Sequence, residues 1–161
     1  MRHVTVQVIA SDVDAATAYH RIGDFRRYPE LTDAVDEVVV HASDDGADTV
    51  VSAWAVRFRN GILRWTERDT FDRARLTVHF EQLTGDFATF TGAWHVTASP
   101  AGTRVSFDAA FDLGIPTLAA IIDPVAEAVL QTNILAILAG LLGPVQPVAG
   151  ATEPVSVAEL T

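Results

Sequence analysis

The chain has no cysteine among its 161 residues. Without thiols there is no disulfide framework and no thiolate metal centre. A clean apolar run of about 20 residues, the length of a membrane-spanning helix, is also missing. The opening stretch "MRHVTVQVIASD" alternates polar and apolar residues where a secretory signal would run apolar, so the expected location is the cytoplasm. Basic residues are scarce: 11 Lys and Arg stand against 21 Asp and Glu, for a formal charge of −10. Phosphate backbones and anionic lipid reward the opposite sign, which argues against nucleic acid and charged bilayers as partners. His3, His20, His41, His79 and His95 show no metal-ligand spacing. Nor is there a Ser-His-Asp grouping, a phosphate loop or a dinucleotide fingerprint. No metal and no cofactor are expected.

Apolar residues make up 49% of the chain, enough for the core of one domain. Val4, Val6 and Val8 share a face of a first strand. Ser11 or Asp12 is placed to cap a helix carrying Val13, Ala16, Tyr19 and Ile22, ended by Gly23. Residues 24–35 read as a second short helical segment, interrupted at Tyr28-Pro29. Six strands follow in quick succession, joined by turns of hairpin length such as Asn60-Gly61 and Ser99-Pro100-Ala101-Gly102. A long apolar helix spans about 116–142, and Gly143-Pro144 closes it. The expectation is an α+β domain over 1–143. Its seven-stranded, curved antiparallel sheet wraps around the long C-terminal helix, with two short helices after strand 1 and a flexible tail over 144–161. Such a sheet leaves a gap beneath its helix, a natural small-molecule cavity.

This order resembles the helix-grip superfamily of START lipid-transfer domains, plant pollen allergens and bacterial polyketide aromatase/cyclases. The carrying stretches are "IGDFRRYPEL" at 22–31, "RWTERDTFD" at 64–72, "GDFATFTGAWHV" at 85–96 and "GTRVSFDAAFDL" at 102–113, with the closing helix. The resemblance covers roughly residues 3–142 and is nearest to the polyketide cyclases. It implies a hydrophobic or aromatic small-molecule ligand, a polyketide synthase or acyl carrier protein as the source of substrate, and no cofactor. In the similar aromatase/cyclases an arginine stands at the spacing where this chain has Asp69. Arg68 lies one position earlier, on the opposite strand face, so the arginine-based stabilisation of an enolate does not carry over by position.

The stretch "RWTERDTFD" carries the chemistry. With Trp65 facing inward, alternation turns Glu67 and Asp69 inward and Arg64 and Arg68 outward. Two carboxyls at i, i+2 on an inner wall repel one another, and desolvation raises both pKa values. One of the two can then hold a proton near neutrality, and such a pair can serve as general acid and general base; the alternative is a pair at the cavity mouth, salt-bridged to Arg57, Arg59 or Arg68 and fully ionised. Glu67 and Asp69 are therefore the catalytic candidates. The same rule lines the cavity with Trp54 and Phe58, Trp65, Phe80 and Gln82, Phe90 and Trp94, and Phe107, an aromatic wall suited to flat ligands. Tyr28 and Asn133 are candidates to orient ligand oxygens. Gly92 on the inner face allows close approach of backbone or ligand. The surplus apolar surface of the long helix suits either the cavity or a homodimer contact. Three functions fit the pattern: a polyketide cyclase, with or without dehydratase or aromatase character; a carrier or sensor for a quinone, lipid or polyphenol; and a protein-interaction module.

Overall fold

The computed structural model describes residues 1–42, 48–58, 61–113 and 119–148. The turn expected at 43–47, Asn60, the first turn of the long helix at 116–118 and the tail from 149 onward lie outside the described residues.

One antiparallel sheet organises the chain. Its strands are β1 (Arg2–Ala10), β2 (Val35–Ala42), β3 (Thr49–Phe58), β4 (Gly61–Asp72), β5 (Thr77–Gly85), β6 (Thr89–Ser99), β7 (Gly102–Asp112) and β8 (Val145–Pro147). The order is β2-β3-β4-β5-β6-β7-β1-β8. Consecutive hairpins build β2 to β7, and β1 then pairs with β7 through Val6 opposite Phe107. The seven strands expected become eight, because Val145 pairs with Ala10 and Pro147 with Val8. Residues 145–147 of the expected tail therefore belong to the sheet. A three-residue strand rich in valine and proline has no periodicity to reveal it, and only the open edge of β1 gives it a partner.

The helical elements are α1 (Ala15–Gly23), a 3-10 turn (Phe25–Arg27), α2 (Tyr28–Leu31) and α3 (Ala119–Leu142). Asp14, not Ser11 or Asp12, caps α1: its carboxylate accepts from the Thr17 amide at 2.7 Å. That bond holds the Asp14 carboxyl below its ordinary pKa. Tyr19 ties α1 to the sheet by donating to the Thr77 carbonyl at 3.0 Å. The 3-10 turn changes to α geometry at Tyr28, with Pro29 in the first turn of α2, where its missing N–H costs nothing.

The concave face of the sheet holds α3. Leu130, Ile134, Ile137, Leu138 and Leu141 recur at helical spacing and are buried against it. Beneath them the strands alternate: Val4, Val6 and Val8 on β1, Val105, Phe107 and Phe111 on β7. Each such valine or phenylalanine contributes roughly 1.5–3 kcal/mol by leaving water. By length and composition Val125–Leu142 would also cross a bilayer, but a helix gripped by a sheet needs the same apolarity.

Two irregularities matter for the site. The register between β4 and β5 shifts at Thr66/Glu67, where Thr66 opposes Thr84 and Glu67 opposes Gln82. The extra residue is Leu83 on β5, so the alternation of β4 runs unbroken past Trp65. At Gly92 a Cβ would collide with the Asp108 carbonyl oxygen. The close approach that this glycine allows is therefore to the backbone of β7, not to a ligand.

Candidate functional site

The space between sheet and α3 is lined by Glu67 and an aromatic wall: Trp54 on β3, Trp65 on β4, Phe80 on β5, Phe90 and Trp94 on β6, and Phe107 on β7. Tyr28 on α2 and Asn133 on α3 also line it. The cavity is small, ≈ 50 Å³. That volume holds a few waters, whereas ligand sites of this kind commonly span about 300–1,000 Å³. A larger pocket of ≈ 550 Å³ lies outside it, between α1, the 3-10 turn and β2–β4, and Phe25 lines both spaces.

Nine of the twelve residues expected at the site do line this cavity; Phe58, Gln82 and Asp69 do not. Phe58 is only partly buried, at the end of β3 opposite Gly61. Gln82 is consumed locally: its amide nitrogen donates to the Phe87 carbonyl at 2.9 Å and its oxygen accepts from the Phe87 amide at 3.3 Å. Both bonds hold the Gln82 side chain to the β5–β6 turn. Asp69 is inward as expected but lies behind the wall, with no exposed surface.

Tyr28 and Asn133 line the cavity with their donors already engaged. The Tyr28 hydroxyl donates to the Ile22 carbonyl at 2.5 Å, and the Asn133 amide donates to the Arg57 carbonyl at 2.9 Å. Burial, then the charges of Glu67 and Asp69, push the Tyr28 phenol well above its ordinary pKa, so it stays neutral. Phe25, Val56, Leu130, Ile134 and Ile137 complete the lining; Phe25 and the three α3 residues were not legible as site residues. The 3-10 turn has no periodicity to orient Phe25, and the helix pattern marks core positions without telling which of them face a gap.

The two carboxyls sit in a chain of hydrogen bonds. The Trp65 indole N–H donates to Glu67 Oε1 at 2.7 Å. The Trp54 indole donates to Ser52 Oγ at 2.7 Å, and Ser52 Oγ donates to Asp69 Oδ2 at 2.5 Å. The Glu67 and Asp69 carboxyls interact side chain to side chain, each shifting the other's titration. The two tryptophan rings stack with centroids 6.1 Å apart and planes at 9°. Asp69 Oδ1 is buried with no donor as long as both carboxyls are ionised. A proton on Glu67 supplies that donor, which is how a buried acceptor of this kind is satisfied.

Electrostatics agrees with that placement. Burial, followed by the bond to Asp69 and its charge, raises the Glu67 pKa well above the ordinary carboxylate value. Burial pushes Asp69 up to about 6, against the opposing pull of its bonds to Glu67 and Ser52. One proton is therefore held by the pair at neutral pH. Arg64 and Arg68 face away from the cavity: neither is among its lining residues, and Arg68 pairs with Glu81 at 3.7 Å. Among the described residues no group of three or more His, Asp or Glu side chains is arranged to hold a metal ion.

The chain has the fold of the protein TTHA0849 from Thermus thermophilus, at 23% identity and TM-score 0.78, over 87% of this chain and 94% of that one. It has that of the Zhui aromatase/cyclase from Streptomyces sp. R1128, at 21% identity and TM-score 0.74, over 88% and 92%. A START superfamily protein from Mycobacterium smegmatis matches at 18% identity and TM-score 0.69, over 87% and 95%. No curated protein matches the chain in sequence. The profile of one family, described as polyketide cyclase / dehydrase and lipid transport, matches residues 11–138. With most of its length matched, the chain belongs to the polyketide cyclase/dehydrase and lipid-transport family, and it has the helix-grip fold.

Proposed function

We propose that the protein is a polyketide cyclase that binds a flat polyketone between the sheet and α3 and steers its intramolecular ring closure. The observation that carries this reading is the carboxyl pair: Glu67 reaches the aromatic cavity while Asp69, bonded to it, stays behind the wall. Aldol closure is an isomerisation in which a C–H bond and the π bond of the attacked ketone break, and a C–C bond and an O–H bond form. Glu67 accepts the C–H proton in the tautomer that leaves its own proton on Asp69. The enolate carbon attacks a ketone carbon of the same chain, and the ketone oxygen takes the proton from Glu67. The pair ends with the single proton it began with. The remaining effect is positioning: stacked Trp54 and Trp65 hold a planar chain folded so that its ends meet. Loss of the new hydroxyl as water would use the same acid.

The cavity must widen to take such a substrate, because ≈ 50 Å³ does not hold one. Phe25, the side chain shared with the outer pocket, is the wall whose displacement joins the two spaces.

A product profile tests the proposal. A poly-β-ketone released by a minimal synthase is incubated with the wild type, with the Glu67→Gln/Asp69→Asn double variant, and alone. A cyclised product formed by the wild type and lost in the variant, with ligand binding retained, is the expected result. A profile identical in all three would overturn it.

One observation favours a second reading, a non-catalytic carrier for a hydrophobic ligand. The polar donors of Tyr28 and Asn133 are already spent on backbone carbonyls, which leaves the cavity poor in groups that orient a substrate. A carrier predicts tight binding that both carboxyl substitutions leave unchanged, without turnover.

A further inference from the structure

We propose that Ser52 is the positioning residue of this site: fixed by Trp54 and donating to Asp69, its hydroxyl keeps the negative charge on Asp69 and the proton on Glu67, the carboxyl that faces the cavity. A serine hydroxyl has one proton to give and two lone pairs to receive with. The Trp54 N–H occupies the receiving side at 2.7 Å, and Asp69 Oδ2 lies 2.5 Å away as the acceptor of the proton. A hydroxyl bond to a carboxylate at that distance is charge-assisted and stabilises the ionised form. Ser52 is fully buried, so water does not compete for either bond.

The other end of the chain has the complementary polarity. Trp65 already donates to Glu67 Oε1, which leaves the second Glu67 oxygen to carry the proton toward the otherwise unpartnered Asp69 Oδ1. Two tryptophan donors thus bracket one serine and two carboxyls, and the serine breaks their symmetry.

Few other titratable groups face the pair. Tyr28 comes from α2 and is neutral. Among the described residues, no charged side chain of β5, β6, β7 or α3 lines the cavity. Arg57 and Glu81 on the neighbouring strands β3 and β5 are solvent-exposed and pair with Asp36 and Arg68.

This assignment rests on the cyclase reading only for its catalytic meaning, since it sets the resting protonation state of the proposed acid. Its test therefore uses the resting protein. Infrared spectra recorded against pH follow the carbonyl stretch of a protonated carboxylic acid. In the wild type the neutral-pH band should vanish in Glu67→Gln and persist in Asp69→Asn. In Ser52→Ala the two-proton to one-proton midpoint, near 6 in the wild type, should rise by roughly one to two pH units, the equivalent of one lost charge-assisted hydrogen bond. Ser52→Thr, which restores the hydroxyl, should return it. Trp54→Phe should give a smaller rise without opening a void at Ser52, and it carries the test if Ser52→Ala does not fold. A midpoint unmoved in Ser52→Ala, or moved equally in Ser52→Thr, overturns the proposal. If the midpoint shifts as expected but no cyclised product is ever formed, the positioning role stands and the cyclase reading falls.

Discussion

Glu67 shows how far a single residue can be read from alternation alone. Once Trp65 faces inward, the period-2 rule places Glu67 beside it, and the structure has the Trp65 indole on the Glu67 carboxylate at 2.7 Å. Asp69 obeys the same rule, yet alternation gives a face and not a depth. Two residues further along β4, the same inward direction ends behind the wall at Ser52. Ser52 itself left no trace in the sequence, because a serine two residues before a tryptophan says nothing until the neighbouring strand supplies its acceptor. The protonation of the pair has a consequence for stability. Both carboxyls have raised pKa values in the fold. Protonation therefore favours folding: the contribution is complete below the unfolded pKa values, near 4, and is lost as pH rises through about 6 for Asp69 and through the raised pKa of Glu67. Glu67→Gln removes one ionisation and keeps a donor toward Asp69. Its melting temperature should exceed the wild type's at pH 8, and the difference should close as pH falls to 5. A difference that is constant with pH would mean that Glu67 does not titrate over this range.

At the scale of elements, β1 to β7 and the long helix were legible because their periods are clean and their turns strong. The bulge at Leu83 was not, since a bulge is a compromise between two strands and neither strand announces it alone. It matters for the site because the extra residue falls on β5 and not on β4, so Trp65, Glu67 and Asp69 keep one face. The 3-10 turn Phe25–Arg27 is the second element whose role needed the fold. Phe25 packs on Tyr28 and Trp54 with ring centroids 5.7 Å and 5.3 Å away, and it separates cavity from outer pocket. Phe25→Ala should lower the unfolding free energy by about 3–5 kcal/mol in denaturant titration. In stopped-flow measurements it should also speed the uptake of an environment-sensitive aromatic dye. Lost stability with unchanged uptake would reduce Phe25 to core packing.

For the whole molecule, the fold class and family follow from element order and a handful of stretches, whereas the proposed activity rests on one polar chain inside an otherwise apolar grip. The net charge of −10 keeps the surface wet and leaves the interior to be judged by its few buried polar groups. Glu67, Asp69 and Ser52 form a continuous hydrogen-bonded set among these, with a cavity on one side of it. The measurement that tests the central claim most directly is the single-turnover rate of ring closure of a poly-β-ketone, recorded against pH for the wild type and for Glu67→Gln. The account predicts a bell-shaped profile. Its acid limb falls as pH drops through about 6, where Asp69 takes up the second proton, and its alkaline limb falls where Glu67 loses the first. Glu67→Gln should close the ring at the spontaneous rate. A Gln variant as fast as the wild type, with the same profile, would contradict it.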